Sequence, residues 1–260
     1  MIQFESKYKL LFSLIFLFTA AQIQATDTQL IIRAKAKDAK FIGSSVGGAY
    51  VMVRNQLTGE ILAQGLTSGS TGNTTVIMKE AKERYKSIAD ENTSKFLAKI
   101  DIDEPTFVQI EVKAPINKKQ ATVTATTELW LIPGKHILGD GVVIEIPGFI
   151  IDILKPRTHQ FVSLKSLTDN SLTIEANMVM MCGCTISKGG LWNSEDIEVK
   201  GILKKNGEPF KEVTLSLSSN NLFSANVTLD SGGKYELTVY AYHPKSGNTG
   251  VDKVNYVVSE

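Results

Sequence analysis

From about residue 29 to the end, apolar positions come in short runs punctuated by Gly, Asn, Ser and Pro. The stretch 30–37 (Leu-Ile-Ile-Arg-Ala-Lys-Ala-Lys) moves into period-two alternation, which sends successive side chains to opposite faces of a strand. Runs at 49–53, 60–63 and 75–78 follow, with a turn-like stretch at 55–59. Between 78 and 91 the period changes. Ala81, Tyr85, Ile88 and Ala89 recur at helical spacing, which predicts one short helix lying as a cover on the sandwich. Strand patterns resume at 96–102, 106–113, 121–131, 141–146 and 149–154, the last two joined by Pro147-Gly148. Strands spaced by turn signals, with little helix between them, indicate a β-sandwich rather than an alternating α/β sheet.

The second half repeats the theme more cleanly. Strands are predicted at 171–181, 197–204, 212–218, 222–229, 234–242 and 251–258. Asn206-Gly207 supplies the strongest short hairpin signal, and 230–233 supplies another. Ile202, Val213, Leu215, Leu217, Tyr235, Leu237, Val239 and Ala241 are the expected inward positions. The fold class predicted is all-β, with two consecutive β-sandwich domains of immunoglobulin or transthyretin type. The first covers 26–154 and carries the helical insertion near 78–91; the second covers 170–260; 155–169, with Lys155-Pro156-Arg157-Thr158, is the linker. The buried Cys–Trp–Cys core of antibody domains is absent.

Two stretches carry a resemblance. One is Val199-Lys200-Gly201-Ile202, Asn206-Gly207-Glu208-Pro209-Phe210 and Val213-Thr214-Leu215, followed by Gly233-Lys234-Tyr235-Glu236-Leu237. The other is Gly48-Ala49-Tyr50-Val51-Met52-Val53, Thr58-Gly59-Glu60-Ile61-Leu62 and Gly65-Leu66-Thr67. Both are similar to the carboxypeptidase regulatory-like (transthyretin-like) β-sandwich family. The resemblance implies a non-catalytic sandwich used as an appendage or interaction module, and it brings no catalytic residues with it.

The N-terminus adds a destination. Lys7 and Lys9 precede an apolar stretch at 10–21 that is too short to span a bilayer, and small residues follow, with Ala25 the expected last residue of the leader and Ala21 the other option. This pattern predicts a cleaved signal peptide at 1–25 and an exported product, periplasmic or extracellular, with no membrane span. The whole chain has 28 basic and 27 acidic residues, and the leader contains Lys7, Lys9 and Glu5, so the mature product is formally neutral. Neutrality leaves no electrostatic footprint for nucleic acid. A cell-envelope protein is the partner expected.

Chemistry concentrates in Met178-Val179-Met180-Met181-Cys182-Gly183-Cys184, which holds the only two cysteines directly after three of six methionines. On an extended strand Met178, Met180, Cys182 and Cys184 share a face. Thiolate and thioether sulfur select soft ions such as Cu(I). Side chains two apart on a strand lie roughly 6.6–6.8 Å apart, so a chelate needs the bend that Gly183 permits. Copper held by Cys182 and Cys184, with Met180 as a third and Met178 as an outer ligand, is therefore one expectation. A Cys182–Cys184 disulfide in an envelope interaction module is the second. A thiol–disulfide redox protein is the third, although no Cys-x-x-Cys at a helix start accompanies it.

Elsewhere the residues suggest solvated or structural roles. His136, His159 and His243 sit in expected loops without ligand spacing, and His243 is placed at the pole opposite the sulfur cluster. Trp192 is expected to plug one end of the sandwich, the other option being a cover over a metal site. Gly69-Ser70-Thr71-Gly72 lacks the residues of a phosphate loop and is expected to be a hairpin turn. Asp101, Asp103, Glu104 and Asp140 have no calcium-loop spacing. Neither a nucleophile elbow nor a metalloprotease motif is present, so the expected class is a non-enzymatic binding protein.

Overall fold

The computed structural model describes residues 26–260. The predicted signal peptide lies outside the described residues. The chain is a β-sandwich protein. Seven strands build the first sandwich: β1 (Thr26–Ala36), β2 (Tyr50–Asn55), β3 (Ile61–Leu66), β4 (Phe96–Ile102), β5 (Thr106–Ala114), β6 (Val123–Leu131) and β7 (Ile137–Ile146). They form a three-stranded sheet, β4-β1-β7, and a four-stranded sheet, β3-β2-β5-β6. Only β1 and β7 run parallel there, and the register jumps between Leu30/Ile137 and Ile32/Val142. Alternation explains the packing. On β5, Val108, Ile110 and Val112 are fully buried between the sheets, whereas Gln109, Glu111 and Lys113 face outward.

The second sandwich comprises β8 (Phe149–Lys155), β9 (Phe161–Ser163), β10 (Ser171–Met180), β11 (Ile186–Ser187), β12 (Trp192–Asn193), β13 (Glu198–Lys205), β14 (Glu208–Thr214), β15 (Ser216–Ser219), β16 (Leu222–Thr228), β17 (Gly233–His243) and β18 (Asn248–Ser259). Its main sheets are β15-β16-β10-β8 and β14-β13-β17-β18-β9, with β11-β12 as a small parallel pair. Asn206, at a positive φ of 52°, and Gly207, at 95°, make the β13–β14 turn expected from Asn-Gly.

Four expectations about elements change. No helix occupies 80–91; five π-helical residues, Thr75–Lys79, replace the strand expected at 75–78. Ala81 and Tyr85 are exposed, so the apparent helical face has nothing to cover. The segment is pinned by polar bonds: the Asp140 carboxylate accepts from Ile88 N–H and Ala89 N–H, each at 3.0 Å. Second, Phe149–Lys155 pairs with β10, so it belongs to the second sandwich rather than the first. Third, the expected linker contains β9, which pairs in parallel with the end of β18. Pro147-Gly148, expected to join two strands of one sandwich, is thus the crossing point between the two. Fourth, Ile202 faces outward while Val199 and Leu203 are buried, a one-residue slip in phase that flips the whole strand.

All the buried apolar residues but Phe41 and Ile77 form one contiguous cluster running through both sandwiches. At the crossing, the buried Asn248 side chain accepts from Gly148 N–H at 2.9 Å and donates to Lys37 C=O at 3.0 Å. One amide therefore satisfies backbone groups from the first sandwich and from the link. Asp152 and Lys118 add an ion pair at 2.6 Å.

Candidate functional site at the seam between the sandwiches

Strand β10 ends at Met180, and the chain then folds back on itself. Gly183 N–H donates to Met180 C=O at 2.7 Å, and Met180 N–H donates to Cys184 C=O at 3.2 Å. Gly183 takes φ of 76°, a conformation glycine reaches without steric cost. This turn sets the Cα atoms of Cys182 and Cys184 5.3 Å apart, within the range that a disulfide spans, and their sulfurs are bonded. No free cysteine is present.

The bridge is inside the protein. Cys182 is 1% exposed and Cys184 8%, with Met178, Met180 and Met181 also buried. Its turn abuts the first sandwich: a Cβ added at Gly183 would lie 2.6 Å from Val46 Cγ1. The four expected soft-metal residues are thus close along the chain, but both sulfurs that would act as thiolates are joined to each other. Among the described residues, no group of three or more His, Cys, Asp and Glu side chains is placed to hold a metal ion.

One hollow reaches the sulfur cluster through Met180, and a second adjoins the first. A pocket of about 200 Å³ is lined by Phe149, Met180, Leu191, Trp192, Asp196 and His243, among others. An open cleft of about 730 Å³ continues from it, sharing Asp38, His243 and Lys245, and adds Lys35, Lys37, Lys82 and Glu145. Trp192 spans the seam, its indole N–H donating to Asp38 C=O at 2.8 Å. It ties the second sandwich to the first rather than only closing an end. Burial pushes the Lys35 ammonium pKa down and Lys82 adds to this, while Glu145 and Asp38 push it back up. Lys245 pairs with Asp196 at 3.1 Å, and this hydrogen bond holds the Asp196 carboxyl below the usual carboxylate range.

His243 corrects an expectation. It lines the same pocket as Met180, so it is at the pole of the sulfur cluster, not the opposite one. Strand direction gives the reason. The chain leaves β10 and enters β13 at this pole, and β17 runs antiparallel to β13, with Glu198 paired to Tyr242. The end of β17 must return there. The His243 Nδ1 accepts from Ser246, whose hydroxyl lies at 2.7 Å and whose backbone N–H lies at 3.2 Å.

The remaining sequence candidates have structural roles. His136 Nδ1 accepts from Gln29 N–H at 3.0 Å. His159 meets Phe161 edge-on and lines a hollow of about 600 Å³ with Lys204, Lys234, Tyr235 and Tyr256. Gly69–Gly72 is no hairpin turn; Ser70 bridges to Thr93 within a long loop, and Gly69 N–H donates to the Ser44 hydroxyl at 3.0 Å. Asp101, Asp103 and Glu104 are scattered and exposed or partly so, whereas Asp140 caps the 87–89 loop. Sequence reasoning missed the lysines of the cleft. The signal for Lys35 and Lys37 was present in Arg33-Ala34-Lys35-Ala36-Lys37, where alternation sets cations at every second position.

No protein-family model matches the sequence, and no curated protein matches it either. Among solved structures, an engineered protein is 14% identical over 47% of this chain and 22% of its own, with a TM-score of 0.33. Fibronectin(III)-like modules of Clostridium thermocellum CbhA are 12% identical over 81% of this chain and 77% of theirs, with a TM-score of 0.29. Escherichia coli alpha-2-macroglobulin, activated by porcine elastase, is 9% identical over 91% of this chain and 20% of its own, at 0.29. The chain thus spans about a fifth of two of these three structures. None extends the reading beyond the β-sandwich fold. Among the described residues, no helix is long and apolar enough to cross a membrane.

Proposed function

We propose that the chain is an exported, non-enzymatic binding module of the cell envelope or extracellular space, in which the Cys182–Cys184 disulfide is a structural staple. The observation that carries this reading is where the bridge lies: buried at the seam, with its turn against Val46. A redox centre needs a sulfur that an incoming thiolate can reach. A soft-metal centre needs both cysteines as thiolates. The signal peptide expected at 1–25 would deliver the chain to the oxidising compartment where such a bridge persists. The resemblance to carboxypeptidase regulatory-like sandwiches, which implies a non-catalytic interaction module, points the same way.

Copper held by Cys182, Cys184 and Met180, with Met178 behind them, is the rival that one experiment separates. Mature protein purified from its own compartment without reductant is assayed for thiols, native and unfolded, and for metal content. No thiol in either state and no stoichiometric copper is the result expected. Free thiols accompanied by stoichiometric copper would overturn the structural role and establish the soft-metal site.

A further inference from the structure

Sheet edges expose unpaired backbone N–H and C=O groups, and proteins blunt them with short strands, bulges, lysines or prolines. Seven of the eight edges of the main sheets are blunted in this way. β9 has three residues and β15 has four with a register shift. β3, β7, β8 and β14 each carry a register shift, and β14 adds Pro209. β4 is regular but carries Lys99 at its middle. β6 is the exception. Among the described residues it pairs with β5 alone, over nine consecutive residues without a shift, and it contains no lysine, arginine or proline. Its one charge is Glu128.

Composition makes this edge competent as well as open. Val-Thr-Ala-Thr-Thr-Glu-Leu-Trp-Leu is rich in β-branched residues. Trp130 lies on its outer face, 56% exposed, with its ring 5.1 Å from Phe107. On the inner face Val123, Ala125 and Leu129 are only half-buried, because the three-stranded sheet opposite has one strand fewer.

We propose that β6 is the self-association edge of this protein, pairing antiparallel with β6 of a second copy to make one continuous eight-stranded sheet. The charge pattern admits this occupant without like-charge repulsion. A two-fold axis perpendicular to the sheet keeps outer faces together and centres the pairing on Thr127, the middle of the strand. All nine residues then pair, Trp130 faces Thr124, and Glu128 faces Thr126. The only charge never meets its own copy, and threonine and aromatic residues meet across the interface, which stabilises a sheet.

Sedimentation equilibrium of the mature protein tests the pairing, with Trp130 fluorescence read in a W192F background. The protein should dimerise as concentration rises, and Trp130 emission should shift to the blue as the ring loses water. T126K puts an ammonium group opposite Glu128 twice per dimer and should tighten association about threefold to tenfold. T126K/E128K puts ammonium groups opposite each other and should weaken it by more than tenfold. Both side chains are exposed, so thermal melts of diluted monomer should remain close to wild type. A wild-type protein still monomeric at about 0.2 mM would overturn the proposal. So would a dimer in which T126K and T126K/E128K associate alike, since the facing of Thr126 and Glu128 is what the two variants read.

Discussion

The two sandwiches reach similar architectures by different means. In the second, neighbouring main-sheet strands are antiparallel except for the short β18–β9 pair, and several follow one another through tight turns. In the first, β1 lies between a strand 70 residues later and a parallel strand later still, and a long loop from 67 to 95 packs beside it. That loop is held by a buried cation. Arg33 is nearly inaccessible, and its guanidinium donates to Thr93 C=O, to Ser94 C=O at 3.0 Å and to Gly139 C=O at 3.3 Å. Burial pushes its pKa down, and Asp140 and Asp90 push it back up. The second sandwich rests on local turn chemistry and apolar burial; the first needs a polar keystone to close a long loop. The chain also offers one reporter for each half, Trp130 in the first and Trp192 in the second.

The largest expected effect comes from dividing the molecule. A fragment covering 147–260 should fold cooperatively, whereas one covering 165–260 should not. The shorter fragment lacks β8, whose Phe149, Ile150, Ile151 and Ile153 are buried. Each such side chain contributes about 1.5–3 kcal/mol on burial, and a whole domain is stable by only about 5–15 kcal/mol. It also loses the bond from Ile153 N–H to the buried Asp252 carboxylate, at 2.8 Å. Chemical denaturation followed by Trp192 fluorescence measures both. A sharp transition in the 165–260 fragment would show that β8 is an accessory and that the second sandwich begins at β10.

Arg33→Met keeps a long side chain but removes the donors to three carbonyls. The expected loss is about 3 kcal/mol, since a buried group that loses its partner keeps its desolvation penalty. The 67–95 loop should open first, so limited proteolysis should cut there under conditions that leave the wild type intact. In urea, Trp130 should report the loss. If the continuous core makes the halves one cooperative unit, Trp192 reports the same midpoint; if the halves unfold separately, the Trp130 midpoint alone moves to lower urea. An unchanged midpoint at both reporters would remove the keystone role from Arg33.

What was legible in the sequence follows the same division. Strand positions emerged wherever alternation ran several residues between turn residues, as at 106–113 and 234–242, because the signal there is local. The 78–91 segment misled because four weakly apolar residues at helical spacing say nothing about what they would cover, and Tyr85 covers nothing. The sandwich boundary was hidden because β8 finds β10 about 20 residues away, and pairing is not written in either strand alone. At the candidate site, Gly183 and the adjacent cysteines foretold a bend that can join two sulfurs. The sequence left metal and disulfide open because burial at the seam depends on Val46, over 130 residues upstream. Asn248 and the burial of Arg33 carried no signal, since a buried polar residue is recognised only by the backbone groups it satisfies.

The coupling across the seam is the smallest expected effect and the most discriminating. Gly183→Ala requires an L-residue at φ of 76°, which costs about 1–2 kcal/mol, and sets its Cβ 2.6 Å from Val46 Cγ1. Overpacking of that kind adds about 1–3 kcal/mol unless the neighbour moves. The two costs are separable. Val46→Ala alone should destabilise modestly by leaving a void. In the double variant the clash is gone while the φ cost remains, so Val46→Ala should be less harmful in the Gly183→Ala background than in wild type. The coupling expected is about 1 kcal/mol, in the direction of rescue. Because the contact joins the halves, the loss in Gly183→Ala should shift the Trp130 and Trp192 midpoints together. Additive losses from the two substitutions would mean that the disulfide turn and Val46 do not bear on each other, and the staple would then belong to the second sandwich alone.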